Sequence, residues 1–137
     1  MTLVVDASAA IKWVVNEAGR AGVRQSSAGQ RLAAPDFVLI ETANILWKKV
    51  RLGQLDQEQA RSGHEFIRDA YEVLHPTPGL SDLAFAMALE FDHPVYDCLY
   101  VACARQEKAE LLTSDARLAN VAGRAGVQVV LVTADTP

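Results

Sequence analysis

Thr2-Leu3-Val4-Val5-Asp6 (TLVVD), followed at once by residues 7–15 (ASAAIKWVV), is a short apolar run closed by an acid and continued by an Ala-rich stretch. This reads as a buried strand running straight into a helix, with Asp6 at the strand's carboxyl end. Glu110 to Thr113 (ELLT) repeats the pattern, with Ser114-Asp115 and a helix to about Ala122 behind it. Two strand-to-helix junctions, each marked by an aspartate, suggest a parallel sheet. In open sheets of that kind, ligands gather where strand carboxyl ends meet helix N-termini.

The intervening chain alternates in the same way. Residues 16–31 contain Gly19, Gly22 and Gly29 with Ser26 and Ser27, so their helix signal is weak, a broken helix or a flap. Pro35 suits the first turn of the next helix and Asp36 its N-terminus, while Lys48, Lys49 and Arg51 precede Gly53, which predicts a helix over about 36–52. Within it Glu41 shares a face with Val38, Asn44, Ile45 and Lys48, an acid on a mostly apolar stripe. A helix from about 55 to 70, a short strand over 71–75 and a helix opened by Thr77-Pro78 follow. His93-Pro94 then interrupts the chain before a helix over 95–106 that carries Asp97 in its first turn. Gly126 turns the chain into the last strand, within VQVVLVT, and the tail from Ala134 to Pro137 is expected to fray. The expected architecture is α/β, a three-layer fold with a central, mainly parallel sheet flanked by helices on both faces.

At 137 residues, with half of them apolar and no linker-like tract, one domain over 1–137 around one core is expected. No apolar run reaches the roughly 20 residues needed to span a bilayer, and MTLVVDAS lacks the pattern of a secretory leader, so a cytoplasmic location is expected. Cys98 and Cys103 lie five apart in a helical stretch and lack metal-ligand spacing, which predicts buried, reduced thiols. His64, His75 and His93 form no nucleophile-base or His-x-x-x-His pattern, and no glycine-rich phosphate loop occurs; the histidines are read as solvated or locally hydrogen-bonded.

The net charge of −4 argues against nonspecific binding of nucleic acid by the whole surface. The charge is uneven, however: Lys12 to Arg51 holds seven Lys/Arg against three acids, and Glu65 to Asp97 holds seven acids against one Arg. Asp6, Asp97 and Asp115 at helix starts, with Glu41 if its helix crosses the same edge, could converge. Four such carboxylates would repel one another unless a cation neutralised them. An all-oxygen site selects Mg²⁺ or Mn²⁺, ions suited to phosphodiester hydrolysis by water, which leaves 5′-phosphate and 3′-hydroxyl ends when the bond breaks on the 3′-oxygen side.

Asp6-Ala7-Ser8, Pro35-Asp36 with Glu41 and Asn44, residues 95–102 (VYDCLYVA) and residues 112–118 (LTSDARL), in this order and spacing, resemble PIN domains, specifically the VapC-like toxins of bacterial toxin–antitoxin systems. The resemblance runs from residue 3 to about residue 132. It implies a Mg²⁺- or Mn²⁺-dependent endoribonuclease, a homodimer, and inhibition by a small cognate VapB-like antitoxin. By matching position, Asp6, Glu41, Asp97 and Asp115 are the metal-binding acids. Ser8 and Thr113 match small hydroxyl positions expected to orient a carboxylate or a metal-bound water, and Asn44, one turn beyond Glu41, is expected to order that face. Lys12, Lys48, Lys49 and Arg51 are candidates for RNA contact, with solvated helix faces as the equal alternative. Trp13, Trp47, Tyr96 and Tyr100 are read as core or interface packing. Two other readings use the same residues: a noncatalytic protein that binds an antitoxin or nucleic acid, and a DNA- or structure-directed nuclease of this fold.

Overall fold

In the computed structural model, which describes residues 1–134, five parallel strands form one sheet flanked by seven α-helices. Apart from Ala134, the tail expected to fray lies outside the described residues. The strands are β1 (Thr2–Val5), β2 (Arg31–Pro35), β3 (Val73–His75), β4 (Glu110–Thr113) and β5 (Val129–Leu131). The helices are α1 (Ala7–Ala10), α2 (Arg20–Ser27), α3 (Val38–Arg51), α4 (Gln57–Ala70), α5 (Ser81–Phe91), α6 (Val95–Glu107) and α7 (Ala116–Arg124), with 3-10 turns at Ile11–Trp13 and Thr77–Leu80.

The sheet order is β3-β2-β1-β4-β5. The chain therefore builds outward from β1 through β2 to β3, then returns to the other side of β1 for β4 and β5. The reversal falls between β1 and β4, whose carboxyl ends diverge into α1 and α7. The order therefore sets the two aspartate-bearing junctions side by side at the switch point, where open parallel sheets place ligands.

Parallel pairing requires strands covered on both faces, and the central ones comply: Val4, Val5, Ala33, Ala34, Leu111 and Leu112 have no exposed surface. Across them lies α6, in which every residue from Cys98 to Ala104 is buried. The small side chains Ala102, Cys103 and Ala104 let this helix pack closely on the sheet and on α5. Cys98 and Cys103 are free thiols, as expected, and burial pushes their ionisation up to about 11 and about 12. No helix among the described residues is long and apolar enough to cross a membrane.

The structure corrects the reading of residues 31–36. Pro35 ends a strand instead of opening a helix, and Arg31–Pro35 is paired on both sides, to β1 and to β3. The missing N–H of Pro35 costs nothing there, because the register with β1 ends at Ala33. Asp36 does not cap α3. Its carboxylate accepts from the Thr77 hydroxyl and backbone N–H, and the Thr77 Oγ1 accepts from Phe37 N, which ties the start of α3 to the turn before α5. The Gly- and Ser-containing segment holds one short helix, α2, entered through Gly19 at φ +90°. A side chain at Gly19 would also stand 3.1 Å from the Thr133 carbonyl.

Candidate active site

Asp6 is the centre of the site. It is the N-cap of α1, accepting from Ala9 N at 2.9 Å, and it is 3% exposed. The Ser8 hydroxyl lies 2.8 Å from Oδ1 and 3.0 Å from Oδ2, and the Thr113 hydroxyl donates to Oδ2. Ser8 in turn accepts from Ser114 N, and Thr113 accepts from Asp115 N. The β1–α1 and β4–α7 junctions are thus stitched together through one buried carboxyl group. Burial drives its pKa up to about 7; hydrogen bonds from Thr113, Ala9 and Ser8 oppose the rise, and the neighbouring charge of Glu41 adds to it.

Glu41 lies in the first turn of α3, at the border of the helix face that buries Val38, Thr42 and Leu46. Its Oε1 accepts from the Tyr100 hydroxyl at 2.5 Å, across 59 residues of sequence. Burial raises its pKa, the Tyr100 bond works against that rise, and Asp97 raises it further. Asp97, in the first turn of α6, accepts from His93 Nε2 at 2.8 Å through Oδ2. Asp115 caps α7, its Oδ1 accepting from Arg117 N and Leu118 N. Asp97, Asp115 and His93 line one cleft of about 620 Å³ between the starts of α6 and α7.

The four acids follow one another as neighbours in an open arc: Glu41 feels the charge of Asp97 and adds to that on Asp6, and Asp97 shares the cleft with Asp115, which Asp6 and Glu41 do not line. Among the described residues no three acids or histidines stand close enough to make a closed metal cage. Like-charge repulsion nevertheless links Asp6 to Glu41 and Glu41 to Asp97. Glu41, Asp97 and Asp115 share a further property: one oxygen is held by a donor from the fold, and the other accepts no hydrogen bond among the described residues. Carboxylates held in this half-spent state, with no cationic side chain paired to Asp6 or Glu41 among the described residues, fit an oxygen-seeking divalent cation.

Other expected participants fall differently. Ser8 and Thr113 both hydrogen-bond the Asp6 carboxylate. Asn44 is exposed and forms no side-chain hydrogen bond among the described residues, so no such bond ties it to the acids. Lys12 and Lys49 both pair with Glu17, at 3.6 and 3.4 Å, and Lys12 also donates to the Ala18 carbonyl. Arg51 lies over the Trp47 ring, whereas Lys48 is exposed and without an ion pair among the described residues. Trp13 and Tyr100 are buried as read, but Trp47 and Tyr96 are more than half exposed, with Tyr96 stacked on Phe37.

Two residues of the site escaped the sequence reading. His93 had a usable signal, since it precedes Asp97 by one helical turn. Tyr100 had half of one: it lies one turn beyond Asp97, but its bond is to Glu41 on another helix.

The sequence and the fold match known proteins. The PIN domain family model matches residues 3–124. Ribonuclease VapC3 of Pyrobaculum aerophilum is 38% identical over 122 residues, covering 87% of this chain and 93% of that protein. Among solved structures, PAE2754 from Pyrobaculum aerophilum superposes with a TM-score of 0.69 at 24% identity, covering 99% of this chain and 91% of its own. VapBC2 from Rickettsia felis, bound to a DNA fragment from its promoter, gives a TM-score of 0.72 at 13% identity, covering 96% and 99%.

Proposed function

Because the chain belongs to the PIN domain family, we propose that it is a divalent-metal-dependent endoribonuclease, the toxin of a toxin–antitoxin pair restrained by a cognate VapB-like antitoxin. The observation that carries this reading is the arc of Asp6, Glu41, Asp97 and Asp115, three of its carboxylates keeping an oxygen that accepts no hydrogen bond among the described residues. Its relative in Pyrobaculum aerophilum carries the name of a ribonuclease. We further propose that residues 1–137 form one nuclease domain, that it acts as a homodimer, and that it works in the cytoplasm with Mg²⁺ or Mn²⁺.

A cation in the arc would polarise a phosphate oxygen and make an attacking water a stronger nucleophile near neutral pH. The protein's own part is positioning. Glu41, Asp97 and Asp115 offer oxygens already aimed by Tyr100, His93 and the α7 N–H groups. Asp6, anchored by Ser8 and Thr113, holds the two strand ends in fixed relation. Burial strengthens the charge interactions of Asp6 in particular. No Ser, His or Cys nucleophile is required, and the buried, poorly ionised thiols offer none.

The test is to incubate partner-free protein with cellular RNA and a matched DNA pool, in Mg²⁺, Mn²⁺ or EDTA, beside a folded Asp6→Asn/Asp97→Asn variant. Discrete metal-dependent RNA cuts with 5′-phosphate ends, lost in the variant while DNA survives, are expected. Equal cleavage of DNA overturns the RNA reading, and no cleavage of either polymer by folded protein overturns the nuclease reading.

A further inference from the structure

Tyr100 is 1% exposed in the middle of α6, walled in by sheet and helices, yet its hydroxyl points at a half-buried carboxylate. It donates to Glu41 Oε1 at 2.5 Å, and no other side chain or backbone N–H among the described residues bonds Glu41's carboxylate. Asp97 sits one turn earlier on the same helix. A single rigid element thus carries one acid of the arc and the group that aims another.

Resting on the metal-nuclease reading above, we propose that Tyr100 is a positioning residue: its hydroxyl occupies Glu41 Oε1, so that Glu41 presents only its other oxygen to a cation. The consequence is selectivity. A carboxylate restricted to one oxygen suits the small, near-octahedral Mg²⁺, whereas a carboxylate free to use both accommodates the larger, flexible shell of Ca²⁺. Removing the hydroxyl frees Oε1 and lets the Glu41 side chain sample more rotamers. Loss of an outer-shell partner of this kind typically weakens metal binding by about 10- to 100-fold. The loss should fall on Mg²⁺ and spare Ca²⁺.

The experiment is calorimetric titration of partner-free, full-length Tyr100→Phe and parent protein with Mg²⁺ and with Ca²⁺, after denaturation curves establish that both fold. The expected result is a Mg²⁺ dissociation constant raised about tenfold with the Ca²⁺ constant changed far less. Glu41→Gln and Glu41→Gln/Tyr100→Phe complete a double-mutant cycle, in which the second substitution should add no further loss. Equal weakening for both ions, or the same loss in the Glu41→Gln background, means that Tyr100 only supports packing and overturns the proposal. Unchanged Mg²⁺ affinity in Tyr100→Phe overturns it too, while leaving the nuclease reading standing. If the parent protein binds neither ion, the metal reading fails and takes this proposal with it.

Discussion

The Asp6 carboxyl makes the metal-free protein less stable as the pH rises, which is opposite to the behaviour of a salt-bridged aspartate. Its pKa in the fold is about 7, against an ordinary aspartate value of 3.8. Below pH 3.8 both folded and unfolded forms are protonated, and the group is neutral in its effect. Between 3.8 and 7 the unfolded chain gives up its proton while the fold retains it, so stability falls with each step in pH. Integrating across that interval gives a cost of about 2 kcal/mol at pH 5 and about 4 kcal/mol at pH 8. Asp6 alone should therefore make the protein less stable at pH 8 than at pH 5 by about 2 to 3 kcal/mol. Glu41, whose pKa is also raised by burial, adds in the same direction.

Asp6→Asn removes the charge and keeps the shape. The amide oxygen can accept from Ala9 N and the Ser8 hydroxyl, and the amide nitrogen can donate to Thr113 Oγ1. Urea denaturation of both proteins in EDTA at several pH values from 5 to 8 is the assay. The stability difference between variant and parent should widen by about 2 to 3 kcal/mol in the variant's favour across that range. Millimolar Mg²⁺ should flatten the parent's decline, because a cation that binds only the fold repays the buried charge. Parallel curves for parent and variant would refute the claim that Asp6 is held against its own charge.

Further expectations concern the groups around it. Asp115→Asn should keep the α7 cap and its stability while weakening Mg²⁺ binding, whereas Asp115→Ala should also cost about 1 kcal/mol in denaturation. Tyr71→Phe deletes the bond from its buried hydroxyl to the Val5 carbonyl, 2.7 Å long, and should lower stability by about 1 to 2 kcal/mol without changing ion selectivity. Leu112→Ala empties a fully buried position in β4 and should cost about 2 to 5 kcal/mol by denaturant titration.

Local pattern determined the frame of this protein. The apolar runs at Thr2–Val5 and Glu110–Thr113, each followed by an acid and a helix, placed Asp6 and Asp115 at strand ends because burial and capping act over a few residues. The lengths of α3, α4 and α6 were legible for the same reason, since helical periodicity is a local property. β2 was not legible: RLAAP has little intrinsic preference for a strand, and pairing to β1 and β3 imposes the extended form. The partners were equally hidden. That Tyr100 bonds Glu41, that Thr113 reaches Asp6 over 107 residues, and that Glu17 absorbs Lys12 and Lys49 all depend on how crossovers bring distant segments together. The sequence by itself determined which carboxylates stand at the strand and helix ends. Only the tertiary structure decided which donor holds each of them and which oxygen is left over, because those choices are made between side chains that periodicity does not relate.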